Sequence, residues 1–312
     1  MKLVVTDETL ITRNTLPIRL KEDFDDCKVY PFTSSEELLP RIKDADAIFI
    51  NRVSVSSEVL RQCKNLKYIG IFATGYNLVD INTAKELGIT VCNVPDYSSY
   101  AVAQHAMALL LEVFNRVSVL NDIAKSGNWN DESIIKVPLT ELYGKTLGII
   151  GYGNIGSTFA KMAESMGMKI LAYREHPDFT DGVEYTTLEN LYKKSDVISL
   201  HCPLTDKTRK MINSSAISLM KDGAVLINTA RGAILDQEAV VEALDNRKLS
   251  MVAVDVFETE PPSVDNPLLN HPRSIVTPHV AWAPTETRKR LIEITIDNFY
   301  AYLNGTPQNV VV

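Results

Sequence analysis

Cysteine is scarce in this 312-residue chain. Its four thiols, Cys27, Cys63, Cys92 and Cys202, form no CxxC pair and no metal-ligand spacing, which excludes a disulfide framework and a thiolate zinc site. They read as reduced, mostly buried thiols of a reducing compartment, and a cytoplasmic location is expected. Long apolar runs are missing too. The opening MKLVVTDETL reaches Asp7 after a few apolar residues, far short of a signal-peptide core. The stretch Ala101–Phe114 is broken by Gln104, His105 and Glu112, too short and polar for a bilayer span of about 20 apolar residues. Basic excess is absent as well: 39 acidic against 32 basic residues leave a net charge of −7, the reverse of a nucleic-acid surface. There is no HExxH or similar ligand cluster, so no metal is expected. No tyrosine is followed four residues later by lysine, which excludes the short-chain dehydrogenase signature.

What is present is ordinary globular composition, with 45% hydrophobic and 23% charged residues. At roughly 150 residues per domain this length predicts about two. Short β-rich runs alternate with amphipathic stretches, which predicts an α/β chain with mainly parallel sheets. Lys2–Val5 and Ala47–Ile50 read as buried strands, with a helix over Ser34–Ile42 between them. Two segments share a pattern: the one running to Pro95 from Lys67, and Lys145–Tyr173. Each is an apolar strand, a glycine-bearing turn, a helix closed by glycine (Gly88, Gly167) and another strand. Two related α/β units, or convergence on a common βαβ pattern, both explain this. A helix over Ala101–Leu120 joins the halves, and a second joining segment lies near Pro284–Glu286, where the last helix starts. Arg288, Lys289 and Arg290 on that helix read as a solvated face.

Gly151, Gly153 and Gly156 form G-x-G-x-x-G directly after the strand Leu147–Ile150 and before a helix. The glycines serve a tight turn, close approach to a pyrophosphate and helix–strand packing, and the helix start offers N–H groups to phosphate. An acidic residue for the ribose 2′-hydroxyl ordinarily ends the next strand. Here Lys169–Tyr173 ends in Arg174, which pairs instead with a 2′-phosphate. Glu175, next door, can still serve the ribose. NADP(H) or NAD(H) is therefore expected, with a lean to NADP(H).

Three later strands lead to reactive residues: Ala224–Asn228 to Arg231, Met251–Val256 to Glu260, and Ser274–Val276 to His279. Ligands of open α/β sheets bind outside the carboxyl ends of strands. Reduction of a 2-oxo acid needs a proton for the carbonyl oxygen, which suits histidine. A carboxylate orients the imidazole and stabilises its cation, and an arginine fork holds the substrate carboxylate. His279 is the expected acid/base, Glu260 its partner and Arg231 the substrate anchor.

With these residues in hand, the chain resembles the D-isomer-specific 2-hydroxyacid dehydrogenases over essentially its whole length. ATGYNLVD, VAQHAMALLL, GYGNIG, HCPLT, LINTARG, DVFETEPP and TPHVAWA occur in the family's order and spacing. NPLLNHP and the closing NGTPQNVV look closest to the glycerate dehydrogenase/hydroxypyruvate reductase branch. The resemblance implies a hydroxypyruvate or glyoxylate reductase with Arg231, Glu260 and His279 catalytic. It implies that Val53, Ala73, Thr74 and Gly75 bind substrate together with Arg231 and His279, with Asn51–Val53 a closing loop. Trp282 either narrows the pocket or packs between domains. For the cofactor it implies Val102, Thr229 and Asp255 lining the nicotinamide, Asp255 holding its carboxamide, with Ala230, Arg231, His279 and Ala281 also binding the cofactor. Asn154 and Ile155 lie under the pyrophosphate, with Tyr173, Arg174, His201, Cys202, Pro203 and Thr208 toward the adenosine. By the same resemblance, residues 1–98 and 286–312 form a flavodoxin-like substrate domain. Residues 99–285 form a Rossmann domain, with the active site in the crevice between the two. A homodimer is implied, with Lys125–Leu139 as its arm.

His105, in an apolar helix, reads as a satisfied core or interface residue, and His176 and His271 as loop residues without a role. Two other readings stand beside the reductase. One is formate or phosphite oxidation on the same fold, although formate dehydrogenases carry glutamine where this chain has Glu260. The other is a dinucleotide-sensing scaffold resembling the corepressors of this superfamily.

Overall fold

A computed structural model describes residues 1–177 and 183–312. The chain divides into two compact units, Met1–Ser98 with Ala283–Val312, and Ser99–Trp282. The first unit carries β1 (Leu3–Val5), β2 (Cys27–Val29), β3 (Ala47–Ile50), β4 (Tyr68–Ile71) and β5 (Thr90–Cys92). They form one parallel sheet in the order β2-β1-β3-β4-β5, the flavodoxin-like winding. Its helices are α1 (Glu8–Thr12), α2 (Leu20–Asp23), α3 (Ser35–Ile42), α4 (Ser57–Gln62) and α5 (Ile81–Glu86), with the closing helix Thr285–Leu303. The α3 start is written in sequence: Ser34 and Glu37 close a reciprocal capping box. One sheet face packs Ile48, Ile50, Ile69 and Ile71 against Leu38, Ile42 and Leu60. Alternate residues Phe49 and Tyr68 meet Phe299 of the closing helix at ring-centroid distances of 5.2 and 5.0 Å.

The second unit opens with α6 (Ser99–Asn115), α7 (Val117–Lys125) and α8 (Asp131–Ile134). Strands β6 (Thr146–Ile150), β7 (Lys169–Tyr173), β8 (Val197–Leu200), β9 (Ala224–Asn228), β10 (Leu249–Val254) and β11 (Ser274–Val276) follow. They alternate with α9 (Asn154–Ser165), α10 (Leu188–Lys194), α11 (Ser214–Ser218) and α12 (Gln237–Asp245). All six strands are parallel, in the order β11-β10-β9-β8-β6-β7. A parallel bridge from Tyr185 to Ala172 adds one more rung outside β7. Counted with that rung, the order from the β7 side is 3-2-1-4-5-6-7, the Rossmann winding with its reversal between β6 and β8. Residue alternation splits the core: Leu147, Ile149, Ile227 and Ala253 face Leu110 and Phe159, whereas Ile150, Leu226 and Val252 face Leu191, Val240 and Leu244. Such two-sided burial explains why these strands read as continuous apolar runs.

Both pattern-matched segments are adjacent parallel βαβ units, β4-α5-β5 and β6-α9-β7. Gly88 and Gly167 close their helices at φ 68° and 80°, where a side chain would be strained. Three expectations are corrected. The Ala101–Leu120 helix is two helices, because Arg116 adopts φ 50° and ends the α6 ladder. The strand expected over Met251–Val256 runs Leu249–Val254, since Asp255 already turns toward the site. Arg288 is not solvated but 3% exposed; its Nη1 donates to the Ile11 and Thr12 carbonyls at 3.1 and 2.8 Å, and its Nε to that of Ala283. Arg290 donates to the Tyr97 carbonyl but is exposed, as is Lys289 near Glu293, so only Arg288 departs from the solvated face. Arg288 follows the helical period of buried Leu291, Ile292 and Thr295, and it satisfies the carbonyls that end α1. Among the described residues no helix is long and apolar enough to cross a membrane, and no His/Cys/Asp/Glu group could hold a metal.

Candidate active site

The carboxyl edge of the second sheet gathers the reactive residues. After β9, buried Asn228 accepts from the Ala230 N–H at 3.0 Å and donates to the Arg231 carbonyl at 2.9 Å. This latch folds the turn that presents Arg231. The guanidinium is exposed; Nη1 donates to the Ala230 carbonyl at 2.8 Å, and the fork's other donors can meet a ligand. The next residue must be glycine. A Cβ on Gly232 would stand 1.9 Å from the Phe257 carbonyl carbon and 2.2 Å from the Glu258 nitrogen. The Arg231 turn is thereby pressed against the loop that carries Glu260.

Glu260 is held at both oxygens. Oε1 accepts from the Phe257 N–H at 3.0 Å, and Oε2 lies 2.6 Å from His279 Nδ1. An ionised carboxylate only accepts, so Nδ1 carries the hydrogen and Nε2 is left as the ring atom able to take or give a proton. The imidazole is 35% exposed, within reach of a ligand.

The backbone of His279 is unusual, with φ 52°, a left-handed conformation that disfavours side chains with a Cβ. Buried Asp255 sustains it. The Asp255 carbonyl accepts from the His279 N–H at 2.8 Å. Its Oδ1 accepts from the Thr277 hydroxyl at 2.5 Å and the Val280 N–H at 3.0 Å, and its Oδ2 from the Ala281 N–H at 2.9 Å. Burial pushes this carboxyl up, but donors from His105, Thr277, Val280 and Ala281 outweigh it and hold it below its ordinary range. Trp282 Nε1 closes the turn by donating to the His279 carbonyl at 3.0 Å.

At the β6 end, Gly151 has φ 96°, and a Cβ there would meet Cys202 N at 2.4 Å. A Cβ on Gly156 would meet the Gly151 carbonyl at 2.5 Å, whereas Gly153 faces open space. Gly153 also heads α9 without any side-chain cap, so the first-turn N–H groups, Asn154 and Ile155 among them, are open to an anion. Thr229 Oγ1 is buried without a partner, an anomaly that a bound ligand would relieve. These residues fit a dinucleotide. Val102 and Ala281 are buried at 7% and 4% exposure, and Ala230 is half-buried. Burial lowers His201 to about 4 and raises the Cys202 thiol to about 11, so both are neutral at pH 7. Thr208 braces the turn after them by donating to the Pro203 carbonyl at 2.7 Å. Beyond half-buried Tyr173, Arg174 is exposed, while Glu175 is ion-paired to Lys207.

In the first unit, Val53 is buried, and Thr74 and Gly75 follow β4 at the carboxyl edge. Thr74 Oγ1 donates to the Val94 carbonyl at 2.8 Å, and the Ala73 carbonyl accepts from the Val94 N–H. Asp7, which in the sequence only ends the opening apolar run, organises the neighbouring loop: its Oδ2 accepts from the Asn51 and Arg52 N–H groups at 3.1 and 3.2 Å. A carboxylate two residues after a buried strand is its signal in the sequence. Gly232, inside TARG, signalled the tight approach to Phe257. The tie from His105 to Thr277, at 2.9 Å, had no local signal. His271 pairs with Asp245 and accepts from the Arg273 N–H, and His176 is exposed beside Glu175.

Comparison with known proteins places the chain in a family. Residues 107–281 match the family description "D-isomer specific 2-hydroxyacid dehydrogenase, NAD binding domain". The chain is 42% identical to the hydroxypyruvate reductase of Blautia hydrogenotrophica over 100% of this chain and 99% of that one. It is 39% identical to the glycerate dehydrogenase of Methylorubrum extorquens, covering 88% of each. Among solved structures, an acyclic imino acid reductase, Bsp5, in complex with NADPH and D-Arg superposes with a TM-score of 0.89 at 30% identity, covering 100% of both chains.

Proposed function

Because this chain belongs to the D-isomer-specific 2-hydroxyacid dehydrogenase family, we propose that it reduces a small 2-oxo acid, hydroxypyruvate or glyoxylate, to the D-2-hydroxy acid. One observation carries the reading: a histidine held in the left-handed region, its Nδ1 2.6 Å from a carboxylate, on the sheet edge that also bears the glycine loop. The substrate names follow those of the relatives.

Arg231 binds the substrate carboxylate and carbonyl oxygen through its free donors. Val53, Ala73, Thr74, Gly75 and Trp282 keep their expected substrate roles within the same proposal. When bound, the reduced nicotinamide supplies the hydride to the carbonyl carbon. His279, as imidazolium, gives the Nε2 proton to the carbonyl oxygen and keeps its Nδ1 hydrogen on Glu260. Glu260 stabilises that cation and fixes the ring. In the reverse direction neutral His279 takes the hydroxyl proton at Nε2.

The glycine loop, Asn154, Ile155 and Thr229 hold the dinucleotide. NADP(H) is the favoured form, since Glu175 is committed to Lys207 and Arg174 is left for a 2′-phosphate. We assign the protein to the cytoplasm on its unpaired cysteines. We assign it to a homodimer because α7 buries none of its residues, and Trp129 and Ile135 in the arm are 81% and 82% exposed. Light scattering at twice 34.7 kDa supports the dimer, and a mass of 34.7 kDa refutes it. The activity is tested by a panel of 2-oxo acids run with NADPH and NADH. Turnover of hydroxypyruvate or glyoxylate to the D-product is expected; inertness toward every member overturns the proposal.

A further inference from the structure

We propose that His105 is a positioning residue, whose Nε2–H donated to Thr277 holds the hydrogen-bond chain that sets the backbone of His279.

His105 lies on α6, where Val102, Ala106 and Leu109 are buried, yet its imidazole reaches the site from behind. Nε2 is 2.9 Å from Thr277 Oγ1 and 3.5 Å from Asp255 Oδ1. The Thr277 hydroxyl lies 2.5 Å from the same Oδ1. The direction of each bond follows from donor capacity. Ionised Asp255 only accepts, so the single hydroxyl hydrogen of Thr277 points at Asp255. The Thr277 oxygen then has only lone pairs to offer His105, and Nε2 must carry hydrogen. His279 has the opposite arrangement, hydrogen on Nδ1 and exchange at Nε2. Asp255 collects donors from Thr277, Val280 and Ala281 and, through its carbonyl, accepts from the His279 N–H. The donor that fixes Thr277 comes from α6, 172 residues away along the chain. Without the Nε2 donor, the hydroxyl is free to rotate off Asp255. The left-handed turn at His279 then loses part of what over-determines it.

The inference rests on His279 being the proton-transfer residue, and the experiment separates the two. Steady-state kinetics on the full-length protein with glyoxylate and NADPH compare His105→Leu, which has no donor, with His105→Gln, which keeps an N–H on a chain of similar reach. His105→Leu lowers kcat by about tenfold or more, as misplacement of a reacting group does, with NADPH affinity by fluorescence titration within twofold. His105→Gln restores most of kcat. Adding Thr277→Val to His105→Leu costs little more, because both break one chain. Equal activity of the Leu and Gln variants, at the wild-type or at a reduced level, overturns the inference, as does additivity with Thr277→Val. Nitrogen NMR of the wild-type protein adds a test independent of any variant's folding: hydrogen on His105 Nε2 is expected, and hydrogen on Nδ1 alone overturns the assignment. If His279→Gln kept normal turnover, the catalytic reading would fail instead.

Discussion

Replacing Gly232 by alanine puts one carbon where the structure has none to spare. The added Cβ would stand 1.9 Å from the Phe257 carbonyl carbon, against ordinary contact from 3.4 Å, so the backbone must yield by about 1.5 Å. The neighbour is main chain and cannot rotate away. What moves is the loop that holds Glu260, the turn that holds Arg231, or both. Misplacing a reacting group by about 1 Å can cost 10²-fold, so Gly232→Ala should lower kcat/KM for glyoxylate by about 100-fold, or ~2.7 kcal/mol. Overpacking of this kind also costs about 1–3 kcal/mol of stability. The glycine loop is untouched, so NADPH should still bind. Initial rates over a glyoxylate series, with fluorescence titration of NADPH and a thermal melt, read all three. A folded variant with kcat/KM within threefold of wild type would refute the claim that this contact sets the distance between the two catalytic loops.

Two other perturbations reach different parts of the site. Arg174→Ala should raise the KM for NADPH by about 10- to 100-fold, the worth of charge-assisted hydrogen bonds, and leave that for NADH within twofold; equal effects on both cofactors would sink the 2′-phosphate role. His201, lowered by burial to about 4, takes up a proton in the unfolded chain near its ordinary value of about 6.5 before it does so in the fold. Its contribution is thus complete above pH 6.5 and lost as pH falls toward 4. A wild-type Tm that drops across that window, and drops less in His201→Asn, is expected; identical slopes in both proteins would contradict it.

Much of this architecture is legible locally. Two-sided burial writes β6, β8 and β9 as apolar runs, and the capping box at Ser34 and the closing glycines Gly88 and Gly167 mark helix ends with side-chain chemistry. The glycine loop is legible because strand, turn and helix fall in consecutive residues. Arg116 left no such mark, since a left-handed arginine has no local signature and the break in α6 follows from packing. The charge of Arg288 points to solvent, and its packing overrides that. Its helical phase with Leu291, Ile292 and Thr295 puts it on the buried face, where it meets carbonyls 276 and 277 residues away. Separation along the chain also hides the supports of His279: Asp255 and Thr277 are 22 residues apart, and His105 reaches Thr277 from 172. Residue types and order announce a reaction. The hydrogen bonds that aim the groups are made between elements, and only the folded chain displays them.

The central claim is that His279 transfers the proton, and His279→Gln tests it most directly. The variant keeps a polar side chain of similar reach but cannot act as a general acid near neutral pH. With glyoxylate and NADPH at saturation, kcat should fall by about 10²- to 10⁴-fold while NADPH affinity stays within a few-fold of wild type. Turnover close to that of the wild-type protein would contradict the account.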